Sequence, residues 1–397
     1  MAAQPVRIEP DVQFIRDLQA GGGDTLKKCY QCATCSVVCP ISPADNPYPR
    51  KEMIWAQWGL KDKLVNDADV WLCHNCGQCS DMCPRGAKPA DLMSAMRNMA
   101  YQRLAPCPSI ARWMSSPKGL LPLAGIPLAI FGVIWLIMAC VVNFKGLYNG
   151  SLIPSGPIIP GNVFYGDYTI DPVFIMVTIF VVLAFWKGCK NLIASIAPAG
   201  KTMMLGKKKH LLVCLIEVVL LEILPHSKFS ECGDATEKQN RKIGHMCLLF
   251  GFLSLAVVTG VFFLCHWAGR LPGLEAIYLE VPLSFTNPLK ILAQLGMVLM
   301  LAGLTMLTLR RKDLDPSKQS SSWYDWYLIG VIWAVWLTGT LTQFLRLADF
   351  ATLTYFIYYL HLVTVFMLLA YLPWSKLGHL VYRTAAITWV RHMGRRA

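Results

Sequence analysis

The sequence predicts a mainly α chain in two parts: a polar N-terminal domain, residues 1–118, and a six-span helical bundle over 119–397. Three observations predict it. Of the first 118 residues 25 are Asp, Glu, Lys or Arg, against 36 in the remaining 279. The second part breaks into six apolar stretches long enough to cross a bilayer. The first part holds eight cysteines in two runs of identical spacing. Overall the chain is 55% hydrophobic and 15% charged, where soluble proteins average roughly 45–50% and about 25%. A single soluble enzyme, a disordered chain and a small disulfide scaffold are thereby excluded. The net charge is +13, and most of the excess lies in the apolar part, where it reports membrane orientation rather than a nucleic-acid surface.

A hydrocarbon core of roughly 30 Å takes about 20 helical residues to cross. The expected spans are Leu120–Val142, Pro172–Ala194, Gly244–Trp267, Ile291–Leu309, Trp326–Leu345 and Leu353–Trp374. Lys187 and Lys190 near the end of the second are tolerated by snorkelling. Leu211–Leu224 is short, is interrupted by Glu217 and Glu222, and lies between Lys207–Lys209 and Pro225. It is read as a helix lying in the membrane surface. With the polar domain inside, the inner segments carry nineteen Lys and Arg and the outer ones only Lys145, Arg270, Lys290 and Arg346. This bias places both termini on the cytoplasmic side of the cell membrane. Met1–Phe14 has no apolar run, so no cleavable signal peptide is expected.

The eight cysteines read Cys29-x2-Cys32-x2-Cys35-x3-Cys39-Pro40 and Cys73-x2-Cys76-x2-Cys79-x3-Cys83-Pro84. This is the run of bacterial ferredoxins, in which three closely spaced thiolates bind one [4Fe-4S] cubane and the fourth, before proline, binds the neighbouring one. The expected sets are Cys29, Cys32, Cys35 with Cys83, and Cys73, Cys76, Cys79 with Cys39. Zinc sites use pairs of cysteines rather than a triple plus one, and structural disulfides are disfavoured in the cytoplasm. Lys51–Trp58 and Ala90–Leu104 favour helix, so the domain is read as an α-helical ferredoxin. Cys107, Cys140, Cys189, Cys214, Cys232, Cys247 and Cys265 lack ligand spacing and are read as packing residues.

Histidines in or beside spans are functional candidates, because an imidazole in hydrocarbon needs a partner. His245 opens the third span on the inner side and His266 closes it on the outer. His361 lies in the outer half of the sixth, and His379 follows that span inside. At 1.5 Å per residue the two pairs of positions are about 31 and 27 Å apart along their helices. Two b-type haems are therefore expected at two depths, an inner one on His245 and His379 and an outer one on His361 with His266. His74, His210, His226 and His392 are read as non-ligands.

With these residues in hand, the chain resembles known families. Residues 20–105 resemble the C subunit of heterodisulfide reductase, an α-helical ferredoxin with two cubanes. Residues 172–390 resemble that enzyme's cytochrome b subunit and the gamma subunit of respiratory nitrate reductase, through Gly244–Phe252 and Tyr359–His379, whose histidines have the gamma family's spacing of eighteen. The gamma family's second histidine, ten residues after the first, is here Leu255, which cannot ligate. The first span lies outside the gamma-type unit. The fusion of both units resembles the C subunit of the quinone-interacting membrane-bound oxidoreductase (Qmo) complex of sulfate reducers. The resemblance implies menaquinone as substrate, flavoprotein and iron–sulfur partner subunits like heterodisulfide reductase A, and electron delivery toward adenylylsulfate (APS) reductase. A heterodisulfide reductase-like or sulfite-reductase-linked complex is the rival within the same chemistry. A haem-free membrane anchor is the rival from another class. No nucleophile, phosphate-binding glycine loop or dinucleotide fingerprint appears, no nucleic-acid partner is expected, and no acidic residue sits mid-span as a transporter would need.

Overall fold

Short helices alternate with cysteine-bearing turns in the polar part: α1 (Val12–Leu18), α2 (Thr34–Val37), α3 (Arg50–Gln57), α4 (Lys61–Val65), α5 (Asp69–Leu72), α6 (Gln78–Asp81), α7 (Pro89–Leu104) and α8 (Pro108–Met114). The computed structural model describes all residues except 1–8, 44–45, 144–145, 147, 149, 203–207, 231–234 and 395–397, and describes the backbone alone at 198–202, 230 and 235–238. Lys145, Lys207, Cys232 and the first eight residues, named above, fall outside the described residues. The longest of these helices, α7, starts on Pro89, whose fixed φ suits a first turn. Asp91 in its first turn and Arg103 in its last complement the helix dipole.

The membrane part continues with α9 (Leu120–Leu136), α10 (Gly166–Thr202), α11 (Leu211–Glu217), α12 (Ala235–Ala268), α13 (Pro288–Lys312), α14 (Trp323–Leu347), α15 (Ala351–Ala370) and α16 (His379–His392). No strand occurs among the described residues. Six helices are long and apolar enough to cross a membrane: Pro117–Val142, Gly166–Ala197, Gln239–Ala268, Pro288–Lys312, Trp323–Leu347 and Ala351–Ala370. Each contains or overlaps one of the expected stretches. The sixth stops four residues before Trp374. Pro373 falls there, and 3-10 turns at Leu372–Trp374 and Lys376–Gly378 break the helix. His379 therefore opens a separate helix rather than closing the one that carries His361, and the straight-helix separation of about 27 Å does not apply to that pair.

The Leu211–Ile223 segment is not among the six. Leu212, Ile216, Leu220 and Leu221 are exposed on its outward face, while Cys214, Val218 and Glu222 are buried. Glu222 pairs with Arg391 of α16. An apolar outward face on a helix too short to span is what a membrane-surface helix presents.

Glycines set the closest packing. A Cβ on Gly251 would meet Met300 Cγ at 2.6 Å, and one on Gly303 would meet the Leu248 backbone nitrogen at 2.6 Å. Helices α12 and α13 thus approach backbone to backbone along Gly244, Gly251, Gly296 and Gly303. Small residues permit such contact in lipid, where close packing rather than water exclusion drives association. Gly303→Val should lower stability by about 1–3 kcal/mol, the usual range for overpacking, read as a lower Tm in detergent. Gly260→Val, where nothing lies within 4 Å, should leave Tm unchanged.

The polar part does not close its core on itself. Leu18, Met53, Trp71, Met93 and Tyr101 share one hydrophobic cluster with Leu192, Ile196, Val218, Tyr382, Ala386, Ile387 and Val390. Trp71, Tyr101 and Tyr382 meet ring to ring at 5.8–6.1 Å. Around them, Ser320 donates to Asp91 at 2.7 Å, Asn191 donates to Leu104 O at 3.0 Å, and Gln102 bonds Tyr324. Asp325 caps α14 through Ser322 and pairs with Arg311 and Lys376. The cysteine-bearing part is thereby seated on α16, which His379 opens, and on the ends of α10 and α14.

Candidate redox site

The two cysteine runs fold alike because their backbones take the same turns. Gln31 and Ala33 flank Cys32 with φ of 67° and 70°, and Asn75 and Gly77 flank Cys76 with φ of 51° and 92°. Three of these four left-handed positions carry side chains, and such strain persists where the surroundings hold it, typically at functional sites. Ala33 and Gly77 then open the short helices α2 and α6, which carry Cys35 and Cys79. The winding also aims backbone donors at sulfur: Asn75 N reaches Cys73 Sγ at 3.4 Å and Ala87 N reaches Cys83 Sγ at 3.3 Å.

The structure brings the sulfurs together in two sets. Cys35 has Cys29, Cys32 and Cys83 as its charged neighbours, and Cys39 has Cys73 and Cys76. Cys39, Cys73, Cys76 and Cys79 line one small cavity together with Tyr48, His74 and Met93. Burial, then repulsion from the neighbouring thiolates, pushes Cys35 up to about 12 and Cys39 up to about 11. Thiols so placed ionise readily only where positive iron compensates them. Spacing bears on which metal fits. Four thiolates on one zinc would stand about 3.8 Å apart, from bonds of about 2.3 Å. Among the described residues no three sulfurs come within 4.8 Å of one another. The donor set, thiolates alone in two groups, fits a cubane at each, and iron held there would supply one-electron redox chemistry.

The two sets face different surroundings. Cys32 is exposed, and Tyr30 and Val37 beside it are 58% and 83% exposed. His74, in the second run, is enclosed by Arg383, Lys228, Arg241 and Arg97; burial and these cations push it down to about 2. It sits at the junction with the membrane helices.

Three histidines, His226, His245 and His379, gather near the start of α12. The charged groups felt at His245 are Arg241, His379, His226 and Arg310. The rings of Phe229 and His226 lie 4.9 and 6.0 Å from that of His245. His379 Nδ1 is 2.7 Å from Lys376 O. A carbonyl only accepts, so Nδ1 carries the proton and Nε2 keeps its lone pair, the state a metal-binding imidazole takes. His361 is held similarly: Thr338 Oγ1 donates to Ala334 O at 2.6 Å and lies 3.0 Å from His361 Nδ1. Gly339 makes room for this ring, since a Cβ there would stand 2.9 Å from His361 Cε1.

His266 has other partners. Its Nδ1 meets Leu279 O at 3.1 Å, and its Nε2 lies 3.2 Å from Asp167 Oδ1 and 2.8 Å from Arg270 Nη2. Both ring nitrogens are engaged by protein groups, and its neighbours are a different set from those of His361. Sequence reasoning does not single out His226, His74 or Phe229 for this region, nor Arg241 and Arg383, and it takes Arg97 for an exposed residue facing a redox partner. Basic residues at span ends act there only as orientation signals, and nothing in their spacing shows that the chain folds them onto a cysteine run.

Residues 25–87 match the family of 4Fe-4S dicluster domains. The C subunit of the H(2):CoB-CoM heterodisulfide,ferredoxin reductase of Methanothermobacter marburgensis is 40% identical over 91 residues, 23% of this chain and 49% of that protein. A protein of Archaeoglobus profundus described as like the C subunit of heterodisulfide reductase is 34% identical over 94 residues, 23% of this chain and 48% of the relative. The C subunit of the ferredoxin:CoB-CoM heterodisulfide reductase of Methanosarcina mazei is 31% identical over 91 residues, 23% and 55%. The chain spans about half the length of these curated relatives. No solved structure matches it. The N-terminal region thus resembles the iron–sulfur domain of heterodisulfide reductase C subunits, and the chain as a whole joins that domain to six helices able to cross a membrane.

Proposed function

We propose that the chain is the membrane electron-transfer subunit of a quinone-dependent oxidoreductase, linking the menaquinone pool to cytoplasmic flavoprotein and iron–sulfur subunits through haem b and two [4Fe-4S] clusters. One observation carries the reading. Arg241 and His245 stand one turn apart on α12; the arginine donates to His74 O in the second cysteine run at 2.7 Å, and the histidine has His379 among its charged neighbours. The same turn of helix touches both candidate redox sites. The basic excess of the inner segments supports a cytoplasmic iron–sulfur domain with both termini inside. His245 and His379 are proposed to hold the inner haem and His361 an outer one. His266 can join His361 only by giving up Leu279 O, or Arg270 together with Asp167, so it ranks below the inner pair. The cofactors supply the electron chemistry; the chain's own residues hold them apart and set their surroundings. Menaquinol oxidation toward APS reductase is the direction that the Qmo resemblance supports, whereas the heterodisulfide reductase relatives favour a complex of that type as the second reading.

The pyridine haemochrome assay on the purified chain separates these from a plain anchor. Haem b should appear alongside about eight iron and eight acid-labile sulfides, the content of two cubanes. Iron and sulfide without haem would leave only a membrane anchor for a ferredoxin domain.

A further inference from the structure

Three consecutive carbonyls of the second cysteine run accept hydrogen bonds from three arginines on three different helices. Arg383 Nη2 of α16 lies 3.3 Å from Leu72 O, Arg97 Nη1 of α7 lies 3.3 Å from Cys73 O, and Arg241 Nη2 of α12 lies 2.7 Å from His74 O. Two of the three come from the membrane part, at sequence separations of 311 and 167. The main charges felt at Arg383 include Arg97 and the thiol of Cys73; those at Arg241 include Arg383, Arg310 and the thiol of Cys76. The arginines crowd one another, and the acidic groups in this company are cysteines of the run itself with the phenols of Tyr48 and Tyr101. Two further donors, Arg97 Nη2 and Arg383 Nε, are buried without a hydrogen-bond acceptor. Buried unpaired donors are rare and call for an explanation. The first run has one such arginine rather than three: Arg50 Nε donates to Gln31 O at 3.2 Å and is the cation felt at Cys29, and Cys32 there is exposed.

We propose that Arg97, Arg241 and Arg383 form a cationic clamp that docks the second cysteine run onto the membrane helices and raises the reduction potential of the cluster it holds above that of the first. This deepens the dicluster reading and rests on it. A cluster held by four thiolates becomes more negative on taking an electron. Nearby fixed positive charge favours that reduced form, more strongly where water is excluded. Net charge and hydrogen bonds to sulfur are among the levers that tune such clusters, and the two spare donors are placed to supply the second. The clamp also fixes an order. The second cluster stands toward His245 and His379 and the first toward the water-facing surface, so electrons from the membrane reach the second first.

The three arginines are positioning residues, and the test reads a potential. The full-length chain in detergent is titrated with EPR detection, and the second cluster is assigned as the signal altered by Cys76→Ser. Arg383→Gln and Arg241→Gln should each shift the reduced-to-oxidised ratio of that cluster about tenfold toward oxidised at fixed potential, equal to about 59 mV for one electron. The first cluster should not move. Arg383→Lys, which keeps the charge, should recover most of the shift. If a Gln variant loses iron, the Lys variant and Arg97→Gln decide by the same criterion. Cluster signals that stay put in the iron-replete variants, or that move together, overturn the clamp alone. Absence of both cluster signals from the unaltered chain overturns the dicluster reading and the clamp with it.

Discussion

His379→Ala should remove one haem b per chain while leaving iron–sulfur content unchanged, and it should stop quinol from reducing the clusters. The expectation follows from how the residue is held. His379 is the first residue of α16, its Nδ1 is fixed by Lys376 O at 2.7 Å, and its Nε2 is left to act as a ligand. Its counterpart His245 sits in α12 with His379 among the charges it feels. A haem b in this place would be held by both imidazoles, so His245→Ala should lose the same haem as His379→Ala. His361→Ala should leave that haem's spectrum in place, because the ring is held on α14 through Thr338 and Gly339 rather than by the inner group. Haem quantitation and reduced-minus-oxidised spectra on the three variants check this. A His379→Ala chain with its full haem content would sink the inner assignment.

Much of the architecture was legible in the sequence because lipid allows few solutions. A helix that crosses hydrocarbon must bond its own backbone and carry apolar side chains throughout, so six apolar stretches announced six helices. The ends were less legible. Leu353–Trp374 reads as one continuous run, yet the helix stops at Ala370 because Pro373 and the turns after it interrupt the bonding pattern. Composition does not distinguish a residue in the last turn from one just beyond it. The cysteine runs were legible for another reason: the chemistry of a cubane fixes ligand spacing along the chain. Contacts between distant segments left no such mark. Arg383 and Leu72 are 311 positions apart, and no periodicity links them. His226 reads as one residue of a basic loop, but the turn at 224–230 carries it next to His245. His266 shows the converse, since its position at a span end suggests a ligand while Asp167 and Leu279, which engage it, lie on other segments.

Cys39→Ala should roughly halve the iron and sulfide content, and the cluster it damages should be the second, whose run it does not belong to. Cys39 follows Cys35 by little more than one helical turn, and an isolated reading of the first run would assign both to one cluster. The fold separates them. Cys39 turns away before Pro40 into the cavity that Cys73, Cys76, Cys79 and Tyr48 also line. Burial and the thiolates of Cys73 and Cys76 push Cys39 up to about 11. Iron shared with those two residues would compensate its charge, so its loss should fall on their cluster. Cys83→Ala is the mirror case, since Cys83 is a charged neighbour of Cys29 and Cys35. EPR should show the first signal intact in Cys39→Ala and the second intact in Cys83→Ala. The two variants should also differ in function. With the second cluster gone, quinol should no longer reduce the first, although a strong chemical reductant still should, because the second stands between it and the membrane helices. With the first gone, quinol should still reduce the second. If Cys39→Ala keeps quinol-driven reduction of the first cluster, electrons leave the membrane by a path that does not pass through Cys73, Cys76 and Cys79.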